Sequence, residues 1–244
     1  MDKLTERQNQ ILKALVEEYI ETAQPVGSET LDKKYNLGVS PATIRNEMVK
    51  LTSTGFLIQP HTSSGRSPSS KGLRYYVENL MTTKKLSVTE EVAVKEKVWN
   101  HRYQLDKFLR EATKALAQKT SSLALSATDQ GDFFFAGTAN ILDMPEFFDI
   151  DLTKNLLLTL DEFDFWNKLF FESPSSEEVF HIILGSEMDE SLLKPCGFVF
   201  SSFKIPSKGK GAIGIVGPSR LSYPSVVPTV KYFGDLISEI ALLW

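Results

Sequence analysis

The stretch from Val39 to Arg74, VSPATIRNEMVKLTSTGFLIQPHTSSGRSPSSKGLR, constrains this chain more than any other, because a strongly signalled helix is followed by a segment that cannot fill a core. Ser40 is a good N-cap and Pro41 suits the first helical position, where its missing N–H costs nothing. Gly55 can take the left-handed conformation that ends a helix, so a helix from about Pro41 to Ser53 is expected. Ile44, Met48 and Leu51 fall at i, i+4 and i+7 and form one apolar stripe. Ala42, Thr43, Asn46 and Lys50 cluster opposite it, with Arg45 on the flank. Such side chains can hydrogen-bond base edges or phosphates in a major groove. An ordinary solvated surface helix has the same pattern, so the neighbouring segments decide.

Upstream, Thr5 and Gln8 make a capping-box pair ahead of a helix that carries Ile11, Leu12, Leu15, Val16, Tyr19 and Ile20 to about Thr22. Pro25 and Gly27 break the chain, Ser28 is expected to cap a short helix to about Tyr35, and Asn36 to Gly38 turn into the Ser40 helix. This is the helix-turn-helix order, in which the second helix enters the groove. Downstream, Phe56 to Gln59 alternates as a short strand. His61 to Ser70 has no large apolar residue and suits a wing that lies along the phosphates or reaches into a minor groove. Ser69 can cap a closing helix through about Met81, with Tyr75, Tyr76, Val77 and Leu80 for packing.

Charge is distributed to match. The chain carries a formal −4, yet residues 39 to 74 hold five Lys or Arg against one acid, Glu47. Residues 120 to 244 hold eight Lys or Arg against seventeen Asp or Glu. A basic patch on an acidic body can bind DNA while the body stays off it. Expected DNA contacts are Thr43, Arg45 and Asn46 for bases, and Lys50, Arg66, Lys71 and Arg74 for phosphate. Ser40, Ala42, His61, Thr62, Ser63 and Ser64 complete the surface.

Over residues 4 to 81 the sequence resembles the heat-inducible transcription repressors of the HrcA type, through LTERQNQIL, YIETAQPVGSETL, VSPATIRNEM, GFLIQPHTSSGR and KGLRYYVENLM. The C-terminal half resembles them through GTANIL with the nearby EF, LGSE and GAIGIVGPSRLSYPSVV. The resemblance implies a winged helix followed by a domain with the architecture of GAF small-molecule sensors. It also implies chaperone operons as targets, release of DNA on heat shock, and a GroE-type chaperonin that keeps the repressor active. Ala23 stands where the family usually has glycine, and Leu73 where it usually has tyrosine. Between about Thr128 and Phe135, members of usual length carry an inserted subdomain that helps dimerisation. This chain passes straight through, as a compact member whose route to dimerisation is open.

The fold class expected is α+β, with a winged helix-turn-helix domain at 1–84 and a GAF-like α/β regulatory and dimerisation domain at 85–244. In the latter, a helical segment at 87–127 precedes mixed α/β structure at 128–244. Ser87 and Glu90 make a second capping box. Helical spacing then runs to about Leu125, broken near Asn100, with Val92, Val98, Leu105, Phe108, Leu109, Ala112 and Leu116 among the apolar positions. Short apolar runs follow at Phe133 to Phe135, Val179 to Leu184, Phe198 to Phe203 and Ala212 to Val216. A helical stretch is expected at about Leu152 to Phe171 and a last helix at about Ser225 to Leu243, with a mostly antiparallel sheet.

Several apparent motifs lack context. Gly209, Gly211 and Gly214 fit G-x-G-x-x-G, but that turn must open a helix, whereas Ala212 to Val216 is itself strand-like and Pro218 follows soon after, so a hairpin turn is expected in place of a nucleotide site. Ser191 and Lys194 match S-x-x-K without its partner motifs. Asp161, Glu162 and Asp164, like Glu187, Asp189 and Glu190, have no histidine at ligand spacing and suit solvated helix ends. His61, His101 and His181 are far apart. Cys196, the single cysteine, reads as a buried hydrophobe in a reducing compartment. No cofactor, metal, catalytic activity or membrane partner is expected. The N-terminus has no signal-peptide or transit character, which places the protein in the cytoplasm. The function these features imply is that of a dimeric repressor on an inverted-repeat operator in double-stranded DNA. The alternative is a regulator gated by a small molecule bound in the GAF-like domain.

Overall fold

The computed structural model describes residues 4–172, 179–188, 191–206 and 209–243, in two compact units, Met1–Thr82 and Thr83–Trp244. In the first, α1 (Glu6–Thr22) starts at a complete capping box. The Thr5 hydroxyl accepts from the Gln8 amide at 3.3 Å, and Gln8 Oε1 accepts from the Thr5 amide at 3.0 Å. Ile11, Leu12, Leu15 and Val16 are buried. The helix ends on Ala23 at φ 56°, a left-handed conformation that costs a non-glycine residue about 1 kcal/mol.

α2 (Ser28–Tyr35) is capped by Gly27, one residue before the expected Ser28, and without a side-chain bond. Glycine is tolerated at that position. Glu18 ties α2 to α1 by pairing with Lys34 at 2.7 Å and accepting from the Tyr35 hydroxyl at 3.0 Å. α3 (Pro41–Ser53) has Ser40 as its N-cap, accepting from the Thr43 amide, and buries Ile44, Met48 and Leu51 as the periodicity requires. Gly55 follows at φ +79°.

β1 (Leu57–Ile58) and β2 (Ser67–Pro68) pair antiparallel, Leu57 opposite Pro68 and Ile58 opposite Ser67. The strand is shorter than the expected Phe56 to Gln59, and the Phe56 amide is already taken by the Leu51 carbonyl at 2.8 Å. The wing is anchored at its base by reciprocal backbone bonds between Val26 and Arg66, at 2.8 and 2.9 Å. Gly65 permits this approach, since a Cβ there would lie 2.4 Å from the Val26 carbonyl oxygen. α4 (Ser70–Tyr75) is capped by Ser69 and widens into a π turn over Tyr76–Leu80. Tyr75 donates to Asn9 at 3.0 Å, and Tyr76 is fully buried.

The second unit opens with α5 (Val88–Trp99), whose Ser87/Glu90 capping box is complete, and α6 (Leu105–Thr120). Helix does not continue to Leu125. Ser121 turns left-handed at φ 48°, and Leu123–Thr128 is a strand, β3. β4 (Phe133–Ala136) returns through a tight turn in which the Thr128 amide donates to the Asp132 carbonyl at 2.9 Å and Gly131 sits at φ +104°. The helical stretch at Leu152 to Phe171 is interrupted. α7 (Ile150–Thr159) and α8 (Phe163–Asn167) are separate, and a π turn covers Lys168–Glu172. β5 (Phe180–Leu184), β6 (Cys196–Ile205), β7 (Gly209–Pro218) and α9 (Tyr223–Ala241) complete the unit. The sheet order is β4-β3-β7-β6-β5, antiparallel throughout, so this is an α/β domain on an antiparallel sheet.

Helices α6 and α9 cover one face of the sheet. Thr113 of α6 meets Ser126 of β3 at 2.6 Å, and Gly234 lets α9 sit on Ser201, whose Oγ would be 2.1 Å from an added Cβ. The other face is filled by Trp166 of α8, fully buried among Phe133, Phe165, Phe170 and Phe198, with its Nε1 donating to the Thr159 carbonyl at 2.7 Å. Gly211 and Gly214 do not form the expected turn. They lie within β7 opposite Phe203 and Phe200, and a Cβ at either would fall 2.4 Å from that phenylalanine. Glycine here makes room for aromatic side chains on the neighbouring strand.

Candidate nucleic-acid interface

The side of α3 opposite its buried stripe is open. Ala42, Arg45, Asn46, Val49, Lys50 and Ser53 are exposed and Thr43 is half-buried. Neither Arg45 nor Asn46 has a side-chain partner among the described residues. Ser40 is engaged as the cap, its hydroxyl 3.3 Å from the Thr43 amide and 3.0 Å from the Thr43 hydroxyl. Its contribution is therefore to fix where α3 begins.

The expected phosphate contacts are each tied into the domain. Lys50 Nζ lies 2.8 Å from Glu47 Oε1. Arg66 Nε donates to the Thr52 hydroxyl at 3.1 Å, linking the wing to the C-terminal half of α3. Lys71 donates to the Thr54 carbonyl at 3.0 Å and sits over the Phe56 ring at 4.3 Å. Arg74 is half-buried, 3.9 Å from Glu78. A cation held in this way is positioned before DNA arrives, which reduces the side-chain entropy lost on binding.

The wing loop is stiffened by its own hydrogen bonds. Gln59 Nε2 donates to the Thr62 carbonyl at 2.8 Å, and Ser64 Oγ accepts from the His61 amide at 3.0 Å. His61, Thr62 and Ser63 remain exposed at the tip. Arg45, Thr62, Ser63, Ser64 and Arg66 meet at one groove of about 360 Å³, closed on its other side by Gly27 to Thr30 at the start of α2. Asn46, Ala42 and Lys50 lie outside this groove on the open face of α3, while Lys71 and Arg74 belong to α4.

Glu47 and Val49 did not figure among the expected site residues. Glu47 is buried and accepts from Gln8 Nε2 at 3.1 Å. The Lys50 ammonium holds its carboxyl below the ordinary value of 4.5, against the opposing effect of burial and with Gln8 assisting. A depressed folded-state pKa contributes stability above the unfolded value that is lost as pH falls through the folded one. Glu47→Gln is therefore expected to flatten the acid limb of the domain's melting temperature, where stability is lost as pH falls below the ordinary value of 4.5. It should also release Lys50. Identical pH–melting curves for the two proteins would remove Glu47 from that role.

Other chemistry-bearing groups are accounted for by packing. Burial pushes the Cys196 thiol up to about 12, so it stays protonated at neutral pH. His181 is buried and stacked on Phe200 at 4.5 Å. Glu187 accepts from the Leu184 amide at 2.9 Å, while Asp189 and Glu190 lie outside the described residues. Among the described residues no group of three or more His, Cys, Asp or Glu could hold a metal, and no helix is long and apolar enough to cross a membrane.

A polar, outward-facing second helix beside a two-stranded wing defines a winged helix-turn-helix DNA-binding protein. Two family matches specify which. The winged helix-turn-helix transcription repressor family described as HrcA DNA-binding matches residues 3–80, and the HrcA protein C-terminal domain matches residues 57–227. The chain belongs to the HrcA family of transcription repressors. It is similar to the heat-inducible transcription repressor HrcA of Desulforudis audaxviator (strain MP104C), at 27% identity over 97% of this chain and 98% of that one. It is also similar to that of Clostridium tetani (strain Massachusetts / E88), at 29% identity over 98% of this chain and 95% of that one. These alignments run over 336 and 342 positions, against the 244 residues here, so the relatives carry residues with no counterpart in this chain. The crystal structure of a hypothetical protein, 19% identical, shares the fold with a TM-score of 0.77 over 98% of both chains.

Proposed function

We propose that this repressor is heat-inducible and binds an inverted-repeat operator as a homodimer, silencing chaperone operons in the cytoplasm. Each subunit places α3 in a major groove and lays the His61–Ser70 wing beside it. The observation that carries this reading is the open face of α3, where Arg45 and Asn46 are exposed and have no side-chain partner among the described residues, next to a wing braced by Arg66. Thr43, Arg45 and Asn46 read bases, with Ala42 beside them and Ser40 fixing the start of α3. Lys50, Arg66, Lys71 and Arg74 hold phosphates, and His61, Thr62, Ser63 and Ser64 follow the backbone. The acidic second unit stays off the duplex. Family membership supports heat as the signal and a GroE-type chaperonin as a partner. The filling of one face of the sheet by Trp166 and its phenylalanines argues against a small-ligand site on that face.

The test is selection of operators from a random duplex pool by the purified chain. A palindromic winner, bound by two subunits and released as the second unit begins to melt, is the expected result. Enrichment of asymmetric sites, or of none, would sink the reading.

A further inference from the structure

Val49 is out of place on the surface of its domain. It is 50% exposed, and among the described residues of the first unit only Ile58 is another large hydrophobic as open to solvent. Its position on α3 is also specific. It follows Asn46 by three residues, Arg45 by four and Ala42 by seven, so all four share one helical face. Nothing in the fold calls for it. The buried stripe of α3 is complete with Ile44, Met48 and Leu51, and a β-branched residue on an exposed helix face is a weaker helix former than alanine or lysine. In the major groove only thymine among the four bases presents a methyl group, and an apolar side chain is what recognises it.

We infer that Val49 is a specificity-determining residue that packs on the 5-methyl group of one thymine per half-site, beside the base pairs read by Arg45 and Asn46. This rests on the proposal that α3 reads the major groove, and it adds an apolar contact to that polar readout. The contact removes a methyl group and part of the valine from water. Its loss should weaken binding about fourfold per half-site, and roughly fifteenfold when both half-sites lose it.

The experiment is a methyl scan of the selected operator. Deoxyuridine replaces thymidine one position at a time, symmetrically in both half-sites, and each duplex is titrated with the wild-type chain and with Val49→Ala. Uracil keeps every hydrogen-bonding group of thymine, so only the methyl is tested. One thymine is expected at which the wild type loses roughly fifteenfold in affinity and Val49→Ala loses nothing further. The variant's melting temperature should equal or slightly exceed that of the wild type. A wild type indifferent to uracil everywhere, while still selecting its operator, overturns the role of Val49 and leaves groove reading by α3 intact. A sensitive thymine whose effect persists in Val49→Ala overturns it as well. Failure to prefer the operator over unrelated duplex removes the underlying reading, and with it this one.

Discussion

Asn46→Ala is expected to lose about 1–3 kcal/mol of operator affinity per half-site and to relax selectivity at one base pair in each. On a symmetric operator the loss is roughly 2–6 kcal/mol, enough to lower affinity by more than tenfold. Asn46 is exposed on α3, so the fold does not depend on it. The variant should melt with the wild type, and its binding should drop most on the preferred operator and least on unrelated duplex. Lys50→Ala makes the contrast. A phosphate contact is indifferent to sequence, so its loss weakens all duplexes alike and flattens the salt dependence by about 0.9 per contact. Titration against every single-base variant at two salt concentrations separates the two behaviours. Unchanged selectivity in Asn46→Ala would remove that residue from base reading.

Trp166→Ala should produce the largest loss of stability in the chain. Truncating a fully buried tryptophan costs about 3–5 kcal/mol, a large part of the 5–15 kcal/mol typical of a whole domain. Removing the indole also takes one of two donors from the Thr159 carbonyl, which keeps only the Glu162 amide at 3.0 Å. At about 2–4 °C per kcal/mol for a unit of this size, the melting temperature should fall by roughly 6–20 °C. Near-ultraviolet circular dichroism against temperature measures this directly. Operator release should shift down by a similar amount if melting of the second unit is what heat acts upon. Release at the wild-type temperature from a protein whose second unit has already melted would disconnect the two.

The parts of the molecule legible in the sequence are those whose signals are local. Ser40, Pro41 and Gly55 fix both ends of α3 within its own residues, and the Thr5/Gln8 and Ser87/Glu90 pairs do the same for α1 and α5. The parts that were not legible depend on neighbours distant in the chain. In β3 all six residues are buried because both faces of the sheet are covered, so the polar alternation that betrays a strand is absent and the run joins the preceding helix. Gly211 and Gly214 read as a turn because their real constraint, the rings of Phe203 and Phe200, lies on the adjacent strand. Within the interface, the apolar stripe and the polar residues separated cleanly. Val49 and Glu47 did not, since one is apolar yet exposed and the other charged yet buried. Only burial distinguishes such residues from their neighbours, although the Glu47–Lys50 spacing of three was a usable sign of an ion pair.

The tight connection from β3 to β4 has a bearing on how a chain of this fold can change its length. Thr128 and Asp132 clamp the strand ends together through backbone and side-chain bonds at 2.9 and 3.2 Å, so the polypeptide departs from the sheet and re-enters it at nearly one point. The entropy of closing a longer excursion grows only with the logarithm of its length. A hairpin of this kind is an evolutionary docking port, where a whole module can be spliced in or deleted while the strand ladder behind it keeps its register.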